Sequence, residues 1–285
     1  MGPADRRSTG RDRRSDADVT TTTSNPVTSV LGGKVVLVAG VGPGLGRSLA
    51  VRSATAGADV VLASRDRDRL ARVAAEVGAL GRRAVVVPTD LTDPAAVAAL
   101  ADRIVDDVGR LDAVIHNAYH PPSREALLDT ELASVEAELV SSLPALDLVR
   151  RCTPALVASG GSVVLVNSMI LRNRLPGFGA YRMAKASLLA LARGLSVELG
   201  PQGVRVNSVA PGYIRGDAVE ASFAKAARAR GTTVEAIHAE VAAETDLRRL
   251  PLPDEVADAA VFLASDLARS VTGQCLDINS GATHH

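Results

Sequence analysis

Tryptophan is absent from this 285-residue chain, and Phe and Tyr number three each, so aromatics are 2% of the sequence. So few rings exclude a stacking platform for single-stranded nucleic acid and an aromatic cage for sugars. The two cysteines, Cys152 and Cys275, cannot form a disulfide framework, and no Cys/His spacing resembles a zinc site. Net charge is lacking as well. The 32 basic residues balance 32 acidic ones, which argues against a protein built to grip nucleic acid or an acidic membrane surface. No apolar run reaches the ~18–20 residues of a membrane helix.

The first 26 residues, MGPADRRSTGRDRRSDADVTTTTSNP, have no apolar segment of the kind a secretory signal needs. Their aspartates also count against a transit peptide. Residues 1–30 read as a disordered polar tail that offers almost nothing to bury. A short basic arm for a partner is the other reading. The missing export signals and the unpaired cysteines lead to the expectation of a cytoplasmic protein.

Beyond Gly33 the texture is that of a globular protein, with 47% hydrophobic and 22% charged residues overall. Short, fully apolar runs recur: KVVLVA (34–39), ADVVLA (58–63), RAVVVP (83–88), DAVIHN (112–117), GSVVLVN (161–167) and VRVNSVA (204–210). Stretches of helical length rich in Ala, Leu, Arg and Glu lie between them. Strands apolar throughout are buried on both faces, which implies parallel pairing. The pattern predicts one α/β domain over 31–285, a doubly wound, mostly parallel sheet of seven strands. A last helix near 253–265 and a strand near 274–278 close it. From Tyr213 to Leu250 no strand appears. Two helical segments, 217–229 and 233–243, follow a strand directly and read as a lid over the carboxyl edge of the sheet, where such sheets bind ligands. A surface elaboration is the plainer alternative.

The first strand runs into Gly40-Val41-Gly42-Pro43-Gly44-Leu45-Gly46, and a helix follows. Glycines permit a tight turn and close backbone approach to a pyrophosphate, and the helix N-terminus offers free N–H groups. The spacing is G-x-x-x-G-x-G, on Gly40, Gly44 and Gly46. At the end of the second strand, where an acidic residue would hold the ribose hydroxyls of NAD, stand Ser64 and Arg65. A serine and a guanidinium suit a 2′-phosphate, so NADP(H) is favoured and NAD(H) is the alternative. Arg65 could equally be a solvated residue opening a charged helix. Asp90-Leu91, after the third strand, could meet the adenine edge.

Tyr181 and Lys185 lie four apart in a helical segment and share a face. A nearby ammonium favours a phenolate, and such a tyrosine can act as general acid/base for a carbonyl/alcohol pair. Ser168 ends the strand 161–167, thirteen residues earlier. Together with His116-Asn117-Ala118, Asn207, Pro211-Gly212 and the closing Leu276-Asp277-Ile278-Asn279-Ser280-Gly281, these motifs make the chain, from about Gly33 to Gly281, resemble the short-chain dehydrogenase/reductase family, standard subgroup.

That resemblance implies a Rossmann fold, a nicotinamide cofactor and hydride transfer to or from a carbonyl carbon. Tyr181 becomes the acid/base, Ser168 polarises the substrate oxygen, and Lys185 holds the nicotinamide ribose and lowers the pKa of Tyr181. Asn117 supports the central strand. Gly40, Gly44, Leu45, Gly46, Ser64, Arg65, Asp90, Leu91, Asn117, Ala118, Pro211, Gly212 and Ile214 form the cofactor set with Tyr181 and Lys185. Three departures from the family pattern stand out. Ala39 replaces a Thr, His116-Asn117-Ala118-Tyr119 replaces Asn-Asn-Ala-Gly, and Ser141 stands where a catalytic asparagine is usual.

In similar enzymes that asparagine marks a helix kink with a freed carbonyl. Pro144 lies three residues on, lacks an N–H and clashes with the carbonyl of Val140. The helix is therefore expected to break near 140–144, with Ser141 or a water completing a path to Lys185. His116, His120 and His238 read as packed or solvent-facing. Arg172 and Arg174 could meet an anionic substrate, although a surface role is the simpler reading. In similar proteins the helix faces at 131–158 and 181–199 meet a partner chain, which implies a homo-oligomer, a tetramer or dimer. An NADP(H)-dependent oxidoreductase of a small-molecule ketone or secondary alcohol is the leading expectation. An NAD-dependent alcohol dehydrogenase and a non-catalytic nucleotide-binding regulator are the alternatives.

Overall fold

The protein was analysed as a computed structural model that describes residue 2 and residues 29–118 and 124–284. The tail expected at 1–30, Tyr119, His120 and His285 lie wholly or almost wholly outside those residues. Seven strands form one sheet in the order β3-β2-β1-β4-β5-β6-β7, with every pairing parallel. They are β1 Val35–Ala39, β2 Asp59–Ser64, β3 Ala84–Pro88, β4 Ala113–His116, β5 Ser162–Val166, β6 Arg205–Pro211 and β7 Cys275–Ile278. The six apolar runs each hold a strand to within a residue or two; the inner strands are buried along nearly their whole length, which leaves few exposed positions to blur their limits, whereas the edge strands β3 and β7 are partly exposed.

The helices are α1 Leu45–Thr55, α2 Arg67–Ala79, α3 Pro94–Asp107, α4 Leu132–Val140, α5 Leu143–Ser159, α6 Gly179–Leu199, α7 Asp217–Arg230, α8 Val234–Ala243 and α9 Pro253–Ala264. Local chemistry sets several ends. Asp66 caps α2 by accepting from the Arg69 N–H, and Asp93 caps α3 with Pro94 in its first turn. Gly160 and Gly231 close α5 and α7 in the left-handed conformation. Alternate strand residues feed two cores. Val36, Val38 and Leu62 pack with Leu49, Leu70 and Val261 on one face, while Leu37, Val114 and Leu165 pack with Leu100, Leu148 and Leu195 on the other.

Helices α7 and α8 make a hairpin with a small core of their own, Phe223, Ala227, Ile237 and Leu250. Tyr213, leaving β6, packs edge-on against Phe223 at 5.8 Å between ring centroids. The insertion expected after β6 therefore folds as a helical hairpin with a small core of its own.

At the switch in strand order, between β1 and β4, the backbones nearly touch. A Cβ on Gly40 would lie 2.6 Å from the Ala118 nitrogen and 2.7 Å from the Asn117 carbonyl carbon, and Gly40 has φ +97°. A Cβ on Gly42 would meet nothing within 4 Å. Gly40→Ala should therefore cost roughly 2 kcal/mol or more in urea unfolding, while Gly42→Ala leaves the midpoint nearly unchanged. Equal midpoints for the two variants would contradict this packing.

Candidate active site

The carboxyl ends of the strands gather the residues singled out from sequence into one edge. At β1 the turn Gly40–Gly46 folds tightly. Gly46 sits against the Gly40 carbonyl, where a Cβ would come within 2.5 Å, whereas Gly42 and Gly44 face open space. Leu45 opens α1, and among the described residues no side chain caps that helix. The helices after β2 and β3 spend an aspartate on their first turns; α1 leaves its positive end uncovered. An open glycine cradle at an uncapped helix start fits a dinucleotide pyrophosphate. Asn117 fixes this turn from β4. Its side-chain amide donates to the Gly40 carbonyl at 2.8 Å, and its own N–H donates to the Ala39 carbonyl at 2.7 Å.

Ser64, Arg65, Asp90 and Leu91 lie side by side because β2 pairs with β3 up to Ser64 and Pro88. The Ser64 hydroxyl is buried and has no hydrogen-bond partner among the described residues. Arg65 is exposed. Hydrogen bonds from the Thr92 hydroxyl and N–H hold the Asp90 carboxyl below its ordinary pKa, and the Arg65 charge adds to the effect. At the end of β6, Gly212 is pressed between Asn279 and Met169, and Ile214 packs onto the first core.

Tyr181 and Lys185 on α6 stand against the end of β5, two residues before Ser168. The Ser168 hydroxyl oxygen accepts from the Ile170 N–H at 3.2 Å, which leaves its proton to point elsewhere. Lys185 turns its amine inward to donate to the Val166 carbonyl at 3.1 Å, and stands 5.7 Å from the centre of the Tyr181 ring. Burial pushes the lysine down to about 8, with Glu138 opposing the fall. Asn167, which sequence reading passed over, locks the two elements together. Its amide donates to the Lys185 carbonyl at 3.3 Å, and its carbonyl oxygen accepts the Ser168 N–H at 3.0 Å.

The helix expected to break near Pro144 is interrupted at Ser141-Ser142, with α4 ending at Val140 and α5 starting at Leu143. The Ser141 N–H reaches back only three residues, to the Glu138 carbonyl. Ser142 rather than Ser141 bridges to α6, with 3.1 Å between the Ser142 and Ser187 hydroxyls.

Arg172 is not left for an anionic substrate: it forms an ion pair with Asp277 at 2.9 Å. Arg182, also unread in the sequence, donates to the carbonyls of Ile170 and Asn173 and so fixes the loop after Ser168. Asn207 ties β6 to the chain entering β7, donating to the Val271 carbonyl at 2.8 Å and accepting the Gln274 N–H at 3.1 Å. A cavity of about 510 Å³ adjoins Met169, walled largely by Leu175, Tyr213, Val241, Leu250 and Pro251, with Arg172, Arg174 and Glu244 among its charged groups. The segment 279–284 folds over it, held by a Leu247 N–H to Ser280 carbonyl bond and a His284–Asp246 contact at 2.9 Å.

Residues 40–283 match a family model described as enoyl-(acyl carrier protein) reductase. An uncharacterized oxidoreductase of Mycobacterium tuberculosis is 37% identical over 254 residues, which is 88% of this chain and 92% of that protein. Among solved structures, carveol dehydrogenase from Mycobacterium avium in complex with NAD superposes with a TM-score of 0.83 at 28% identity, covering 90% of this chain and 99% of that one. L-sorbose reductase from Gluconobacter frateurii, complexed with NADPH and L-sorbose, also gives 0.83, at 26% identity, covering 91% and 100%.

His116 is buried at the end of β4, and burial, with the Lys185 charge beside it, pushes its pKa down to about 4. The native state therefore holds it neutral, while an unfolded chain protonates it below about 6.5. Between those values the unfolded state binds more protons, so this residue's contribution is intact above 6.5 and lost as pH falls through 4. From pH 7 to pH 4, His116→Asn should lose about 3 kcal/mol less stability than the parent, read by urea unfolding at both pH values. Equal losses would contradict a neutral, buried His116.

Proposed function

The chain belongs to the short-chain dehydrogenase/reductase family, enzymes acting on CH–OH and C=O groups with a nucleotide cofactor, and from that premise we propose that it is an NADP(H)-dependent oxidoreductase of a ketone or secondary alcohol. The observation that carries the proposal is the placing of Tyr181 and Lys185 on α6 against the end of β5, beside Ser168 in the chain and two strands over from an open glycine cradle.

A bound nicotinamide supplies or accepts the hydride. The chain does the rest. Gly42, Gly44 and the start of α1 hold the pyrophosphate. Asn117 and Ala118 form the floor at the switch point, and Pro211, Gly212 and Ile214 receive the nicotinamide end. Ser168, with its hydroxyl oxygen already accepting from Ile170, donates a hydrogen bond to the substrate oxygen and keeps its proton. Tyr181 gives its phenolic proton to that oxygen in reduction and takes it back in oxidation. Lys185 lowers the cost of the phenolate by standing near the ring as a cation. Ser141, at the helix break, completes the set together with the main chain there.

The apolar walls beside Met169, and a lid hairpin with its own core, suit a substrate with a substantial hydrocarbon body, shielded from water when bound. Exposed apolar side chains on α4, α5 and α6, such as Leu132 and Val197, suit burial against further copies of the chain in a dimer or tetramer.

Tyr181→Phe keeps the ring and removes the proton. Turnover of a ketone panel should fall at least ~100-fold, with cofactor binding by fluorescence titration nearly intact. Undiminished turnover contradicts the mechanism.

The orphaned Ser64 hydroxyl and the Arg65 cation support the 2′-phosphate. NADPH should bind roughly ten-fold or more tightly than NADH, and Ser64→Asp with Arg65→Ala should reverse the order. Tighter NADH binding by the parent would overturn this assignment.

A further inference from the structure

The buried side chain of α4 is an acid. Of the nine residues Leu132–Val140, Glu138 alone is buried, at 2% exposure, while Leu132 stands 84% exposed. Hydrophobic burial would set the helix the other way round, and a glutamate is almost never enclosed unless something charged or polar answers it. α4 packs along α6. One helical turn beyond Glu138, Ser142 touches Ser187, two residues past Lys185. The end of α4 that carries Glu138 therefore lies against the stretch of α6 that carries Lys185.

We propose that Glu138 is the positioning residue of Lys185, its carboxylate keeping the lysine an ammonium beside Tyr181 in a chain whose helix lacks the usual asparagine. The inference rests on the Ser168–Tyr181–Lys185 reading above.

The surroundings leave this work to one group. From β5 the amine meets only the neutral Val166 carbonyl. From β4 it faces His116, which is neutral above about 4 and repels the lysine if charged. From its own helix it faces Tyr181, whose ionisation the lysine assists. Glu138 is the carboxylate that acts on it, against a burial that by itself drives the amine towards neutrality. A neutral amine would still hydrogen-bond, but it would no longer stabilise a phenolate. The acid lies three residues before Ser141, so it is reached from the helix interior rather than through the break.

The composition makes the test direct. Lys34, Lys185 and Lys225 are the only lysines, since nearly every other cation is arginine. The full chain labelled with ¹³C at lysine Cε therefore gives three signals, and the titrating carbon of Lys185 is identified by its loss in Lys185→Arg. In the parent, Lys185 should titrate below the other two lysines and remain an ammonium at pH 7. In Glu138→Gln, equal in shape and uncharged, its midpoint should fall by about one pH unit or more. Glu138→Asp, which keeps the charge, should hold most of the parent value.

A parent Lys185 already neutral at pH 7 overturns the proposal without any Glu138 variant. So does a parent-like midpoint in Glu138→Gln, or an Asp variant that falls as far as the Gln variant, since shape rather than charge would then be at work. The readout needs neither cofactor nor substrate. It therefore fails separately from the oxidoreductase reading, which falls on Tyr181→Phe turnover.

Discussion

Between β1 and β4 three backbone segments converge with no room for a side chain. Gly40 lies against Asn117 and Ala118, and Gly46 lies against Gly40. The crevice follows from this contact. Strand order reverses here, so the connections leave to opposite faces of the sheet and leave its carboxyl edge open. The tight turn aims the start of α1 at the opening, and the Asn117 amide holds the turn by occupying the Gly40 carbonyl. A methyl group at Gly40 would push β4 away from β1 and widen the gap between the cradle and the residues on β5.

The residues proposed for the chemistry sit on the other side of that crevice, tied down by hydrogen bonds. Asn167, Lys185 and the Val166 carbonyl bind the end of β5 to the middle of α6, and Arg182 pins the following loop by its carbonyls. The hydroxyl, phenol and amine are thereby set on a strand end and a 21-residue helix rather than on free loops. The α7–α8 hairpin is built differently, on a four-residue core apart from the two that flank the sheet. A layer with so small a core of its own can open at a lower cost than the sheet beneath it.

Much of this was legible in the sequence because the relevant rules are local. Apolar runs placed six of the seven strands, the glycine turn marked the switch point, and the Tyr181/Lys185 spacing placed both on one face. Pro144 signalled the interruption of α4 and α5 through its missing N–H. The remainder depended on which face of a helix turns inward. Glu138 sits in LASVEAELV, where a second glutamate, Glu136, stays exposed; only the packing of α4 on α6 separates the two. The same packing gives the bridge to α6 to Ser142 rather than to Ser141. Arg172 read as a loop cation and Arg182 was passed over, yet one pairs with a β7 aspartate more than a hundred positions along the chain and the other donates to loop carbonyls. No spacing rule encodes such partners.

A crystal structure grown with NADPH tests the central claim most directly. The account predicts the pyrophosphate over Gly42 and Gly44 at the start of α1, the 2′-phosphate at Ser64 and Arg65, and the nicotinamide ribose within reach of Lys185 and Tyr181. A dinucleotide bound anywhere but this crevice, or a nicotinamide turned away from Ser168 and Tyr181, would contradict it.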